Sequence, residues 1–126
     1  MERTRQSQIF HDKMIKQLAD SLVSKKFRNV RADHPEFPDK PVPVIVDNCE
    51  SFHVPDVTAT GIQMVLFEVE THETINDPHT AEEWESFAAY AHRNSAEFWV
   101  VVPKASVDDA RERLDKLRLA GKVMGF

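Results

Sequence analysis

The sequence predicts a mixed α/β fold in which helices cover a central sheet, and three stretches carry that expectation. Phe10, Met14, Leu18 and Leu22 recur every four residues, as the buried face of an amphipathic helix does. Ile62 to Thr71 is rich in strand formers, with Met64, Leu66, Glu68 and Glu70 on one side and Val65, Phe67, Val69 and Thr71 on the other. Phe98-Trp99-Val100-Val101-Val102 is an unbroken apolar run, which fits a central strand covered on both faces.

Taken in order, the first helix is expected over roughly 8–28, with Ile15, Val23 and Phe27 widening its apolar stripe. Lys13, Lys16, Lys25, Lys26 and Arg28 occupy its other face. Asp33 to Pro41 carries three prolines and reads as loop. Val42 to Val46 reads as a strand, pushed toward an edge or a strand start by Pro43. Cys49 to Val54 extends that strand or forms a second short one. Val57 to Thr60 is extended, Gly61 turns the chain, and Ile62 to Thr71 is the clearest strand. Thr80 is placed to cap a helix over about 81–93, with Glu82 and Glu83 in its first turn and Trp84, Phe87, Ala88 and Ala91 inward. After the apolar strand, Ser106 is placed to cap a third helix with Val107, Ala110, Leu114 and Leu117 inward; Gly121 ends it, and Lys122 to Met124 forms a short last strand. The order is helix, three strands, helix, strand, helix, with the strands on either side of the second helix as parallel neighbours.

A chain of 126 residues, 41% apolar and 29% charged, fits a single soluble α/β domain over 1–126. No segment approaches the apolar length of a membrane helix, the N-terminus lacks the apolar run of a signal peptide, and the expected compartment is the cytoplasm. Cys49 is the single cysteine, which excludes an intrachain disulfide and a four-cysteine zinc site. The net charge of −5 is unevenly spread: residues 1–31 carry +5, residues 32–99 carry −12 and residues 100–126 carry +2. An acidic middle between basic ends suits either a cation site flanked by phosphate-binding surfaces or solvated helices on an acidic sheet edge.

Within the acidic middle, Asp56 precedes one strand and Glu68 and Glu70 share a face of the next. Carboxylates on a half-buried face are costly unless a cation or hydrogen-bond donors meet them. Carboxylates converging from adjacent strands supply the hard oxygens that magnesium takes. Six histidines, His11, His34, His53, His72, His79 and His92, lack a compact zinc spacing, although His53 and His72 flank the acidic positions. Asp47 and Glu50 are possible auxiliary ligands, and Cys49 between Asn48 and Glu50 is poorly placed as a nucleophile. Glu68 and Glu70 as an acid/base pair for sugar hydrolysis are disfavoured, because such carboxylates flank the bond from opposite sides.

The Pro55-Asp56 pair, the stretch Leu66-Phe67-Glu68-Val69-Glu70-Thr71 and the run Phe98 to Pro103 resemble the PD-(D/E)XK nuclease superfamily over roughly residues 8–104. The resemblance implies a restriction-endonuclease-like αβββαβ core. It also implies magnesium or manganese held by Asp56, Glu68 and the carbonyl of Val69, and phosphodiester hydrolysis of nucleic acid, DNA ahead of RNA. A homodimer is expected by the same analogy. Where that motif has lysine, this chain has Glu70. Three alternatives follow: Glu70 joins Asp56 and Glu68 in the catalytic site as an additional metal ligand, Arg93 or Lys104 supplies the cation, or the fold is kept for nucleic-acid or protein binding without catalysis.

Overall fold

A computed structural model describes residues 4–46 and 52–126. Among the described residues, three helices pack on a mixed five-stranded sheet. Helix α1 spans Arg5–Ser24 and begins where Thr4 accepts a hydrogen bond from the Ser7 N–H at 3.1 Å. It stops at Lys26, whose φ of 64° is left-handed; the N–H groups of Lys25, Lys26 and Phe27 return to the carbonyls of Ser21, Val23 and Leu22.

The chain then enters strand β1, Arg28–Ala32, where a helix end was expected. This strand pairs antiparallel with β2, Val57–Thr60, and its register shifts between Arg28 and Arg31, where Asn29 adopts φ 52°. Val42–Val46 does not form the expected strand: only Val44 makes an isolated bridge, to His53. Pro43 has no N–H to offer a ladder, and Val42 and Ile45 point to solvent. The three strands preceding α2 are therefore β1, β2 and β3, the last spanning Met64–Val69.

Helix α2, Pro78–Arg93, starts earlier than expected because Asp77, rather than Thr80, caps it. Asp77 accepts from the His79 N–H at 2.8 Å, and Pro78 suits the first turn, where no intrahelical N–H bond is lost. Strand β4, Glu97–Val102, runs parallel to β3, and a 3-10 turn at Lys104–Ser106 leads into helix α3, Val107–Leu117. The helix ends at Arg118 in the left-handed region, ahead of Gly121. Strand β5, Lys122–Gly125, completes the parallel part beside β4.

The sheet order β1-β2-β3-β4-β5 thus joins an antiparallel half to a parallel half at β3. Val57, Val65, Phe67, Val69 and Val101 face α1, with Met14, Ile15, Leu18 and Leu22. Leu66, Phe98, Val100 and Val102 face α2 and α3, where Trp84, Phe87 and Leu114 fill the layer. No helix among the described residues is long and apolar enough to cross a membrane.

Candidate functional site

The β2–β3 ladder sets Val57 opposite Phe67 and Thr58 opposite Leu66. Carried one step past β2, that register places Asp56 across from Glu68, where cross-strand side chains meet. The ladder closes there through the side chains themselves. The Asp56 N–H donates to Glu68 Oε1 at 3.1 Å, and the Val69 N–H donates to Asp56 Oδ2 at 2.8 Å. From α1, His11 Nε2 lies 3.3 Å from the same Asp56 oxygen. His11 is buried, four residues from Ser7 and from Ile15 on the inward stripe of α1.

Glu70 has a different surrounding. Its N–H donates to the Val101 carbonyl at 2.9 Å, which prolongs the β3–β4 pairing beyond Val69. Thr74 Oγ donates to Glu70 Oε1 at 2.7 Å, and the Trp84 indole N–H donates to Oε2 at 3.2 Å. Thr74 also accepts from the Thr71 N–H, and Ser7 Oγ donates to Thr71 Oγ at 2.9 Å. A buried hydrogen-bonded chain therefore ties α1, the end of β3, the following loop and α2 together.

The electrostatics separate Asp56 from Glu68. Burial works against a charge on Asp56, but hydrogen bonding with His11, the His11 charge, a hydrogen bond with Glu68 and the Val69 N–H together hold its carboxyl below the usual value. Burial pushes the Glu68 carboxyl well above the usual value, and the charges of Asp56, Glu70 and Glu83 push it the same way. The pair thus sets one carboxyl that favours its charge beside one that holds its proton more tightly than usual.

The remaining expected residues fall as follows. His53 Nδ1 lies 3.1 Å from Ser86 Oγ, and its ring meets Phe87 and His79 edge-on, so it packs against α2. His72 turns to Ser106 at 3.3 Å rather than to the carboxylates. Arg93 stands nine residues beyond Trp84, about 14 Å along the helix axis. Lys104 packs against β5, with its Cγ 3.3 Å from where a Cβ on Gly125 would sit. No lysine or arginine is hydrogen-bonded or ion-paired to Asp56 or Glu68 among the described residues. Lys16 on α1 is engaged by Asp20 at 2.6 Å. Asp47, Cys49 and Glu50 lie outside the described residues.

His11, Ser7, Thr71 and Thr74 were not singled out by the motif. The legible signal was a histidine four residues from Ile15 on a helix whose inward stripe it shares, and a threonine pair following an acidic strand end.

Among the described residues, no group of three or more His, Cys, Asp or Glu side chains is set to hold a metal ion. Magnesium does not require such a cage, because one or two carboxylates suffice when water and substrate phosphate complete its shell. Asp56 and Glu68 fit that sparser requirement, as adjacent carboxyls whose crowded charge a cation would offset. Glu70 fits less well, since each of its oxygens already accepts from a buried donor. No family model, curated protein or solved structure matches the chain.

Proposed function

We propose that the chain is a restriction-endonuclease-like domain that hydrolyses phosphodiester bonds of DNA or RNA with magnesium or manganese between Asp56 and Glu68. The observation that carries this reading is the β2–β3 register, which brings those two carboxylates side by side at the strand ends. The element order α1-β1-β2-β3-α2-β4 and the antiparallel-to-parallel change at β3 agree with the core that the resemblance implies. Asp56 supplies the charged oxygen, held in place by the Val69 N–H and His11. Glu68 supplies the second oxygen. Glu70, Thr74 and Trp84 fix the end of β3 so that Glu68 keeps its place. A divalent cation bound there would lower the pKa of a water ligand and neutralise charge on the scissile phosphate.

The test is cleavage of single-stranded, duplex and branched DNA and of RNA with Mn²⁺, using wild type, Asp56→Asn and Glu68→Gln. Both substitutions keep an acceptor for the backbone N–H groups at 3.1 and 2.8 Å while removing the ionisable oxygen, so the fold is retained. Metal-dependent cutting by wild type that both variants lose is the expected result. Cutting that survives both would overturn the site.

A second reading has its own observation: among the described residues no lysine or arginine is bonded to Asp56 or Glu68. On that reading the domain keeps the fold and binds nucleic acid or protein without cleaving. Retention of an oligonucleotide in a gel-shift assay, with no product and no thermal response to Mn²⁺, would select it.

A further inference from the structure

The two faces of the sheet are covered unequally. Helices α2 and α3 share one face, whereas α1 leans over β1, β2 and β3 on the other. Beside α1, Trp99, Met124 and Phe126 are only half-buried. A cavity of about 530 Å³ opens there, between the end of α1, the β2–β3 turn and the start of β4. That volume lies within the range of small-molecule sites.

Its walls are apolar and largely aromatic: Leu22, Phe27, Phe67, Trp99 and Met124. The turn is shaped to admit the Phe27 ring, because a Cβ on Gly61 would come within 2.9 Å of Phe27 Cε2. Three polar side chains stand among the lining residues, namely Lys25, Gln63 and Glu97. Glu97 accepts from Lys122 Nζ at 2.6 Å, and Lys122 also lies 5.4 Å over the Trp99 ring, so these two charges cancel. Gln63 is neutral. Lys25 makes no ion pair among the described residues. The cavity therefore has flat apolar walls and one uncompensated positive charge.

We propose that this cavity binds an amphipathic monoanion, with a planar apolar body between Phe27, Phe67 and Trp99 and a carboxylate at Lys25. The proposal is independent of the acidic site, which lies toward the opposite end of β3. The hydrophobic walls favour any apolar body of this size, and Lys25 selects the anion over its neutral or cationic analogue.

The test is an NMR titration of the full chain with 2-naphthoate and with 2-naphthylmethanol, in wild type and in Lys25→Glu. Lys25 is exposed, so the substitution leaves the fold intact, and the unperturbed remainder of the spectrum verifies this. The expected result is that naphthoate shifts the Trp99 indole and the Gly61 and Gln63 amides and binds several-fold tighter than the alcohol. Lys25→Glu should lower naphthoate affinity about tenfold and leave the alcohol unchanged. No perturbation at these positions, or equal affinity for both probes, would overturn the proposal. So would shifts at the same positions that follow protein concentration alone, because a second copy of the chain would then cover this face.

Discussion

Glu68 and Glu70 sit two residues apart on the same face of one strand end and are buried almost equally, at 4% and 2% exposure. Their surroundings are opposite. Glu70 meets the Thr74 hydroxyl and the Trp84 indole N–H, one donor for each oxygen. Glu68 receives one backbone N–H and otherwise faces Asp56, Glu70 and Glu83. Burial alone does not tell a structural carboxylate from a functional one; the identity of the partners does. Donors make a buried carboxylate a fastening, whereas further carboxylates leave it in need of a proton or a cation.

The comparison is broken most directly by removing each side chain in turn. Glu70→Leu keeps much of the volume but strands the buried Trp84 N–H, at a cost of about 2–3 kcal/mol in denaturant unfolding. The Thr74 hydroxyl loses less, because it also reaches the Thr71 carbonyl at 3.2 Å. Adding Trp84→Phe should recover part of that loss, the mark of a specific pair. Glu68→Gln, in contrast, should leave stability at neutral pH unchanged or raised, because the amide keeps the acceptor for the Asp56 N–H and brings no charge into a site crowded with carboxylates. Equal losses in the two single variants would erase the distinction.

Titration sharpens it. The folded-state value of Glu68 lies above its ordinary 4.5, so the native protein holds this proton more tightly than the unfolded chain. Its stabilising share is complete below about 4.5 and declines as pH rises toward the folded value, by at most about 1.4 kcal/mol per pH unit. Asp56 runs the other way: lowered from 3.8, it stabilises above that value and loses its share as pH falls through the folded value. Thermal melts of wild type, Glu68→Gln and Asp56→Asn across pH 3–8 should show the first decline missing in Glu68→Gln and the acid loss reduced in Asp56→Asn. Identical profiles in all three would exclude both assignments.

Metal addition gives a smaller effect. At ten times its dissociation constant Mn²⁺ should stabilise wild type by about 1.4 kcal/mol, and either Asp56→Asn or Glu68→Gln should abolish the gain. A gain that survives both would place the cation elsewhere.

Much of this arrangement was legible in the sequence, and the exceptions have physical causes. The alternation through Ile62 to Thr71 located β3 and put both glutamates on one face, and the apolar run located β4. The β1 segment, Arg-Asn-Val-Arg-Ala, escaped notice because an edge strand interrupted by a bulge at Asn29 needs no clean alternation. Val42–Val46 misled in the opposite sense, since β-branched composition does not make a strand where proline removes a donor. The apolar stripe of α1 was read through Phe10 and Val23, both exposed in the fold, whereas the inward line passes through Ser7 and His11. Polar residues on a buried stripe weaken the periodic signal at the positions where the helix meets the site.

The smallest expected effect asks whether the two surroundings act separately. Ser7 and His11 lie one turn apart on α1, the first bonded to Thr71 in the Glu70 network and the second beside Asp56. Ser7→Ala removes one neutral hydroxyl bond of 2.9 Å, worth about 1 kcal/mol, and the Thr71 hydroxyl can turn to another acceptor. If the fastening and the cation pair are distinct, this variant should melt slightly earlier and keep the full Mn²⁺ response. If the response falls with it, the Glu70 network holds Asp56 in place through α1. Glu68 and Glu70 would then belong to one cooperative site rather than to two neighbouring ones.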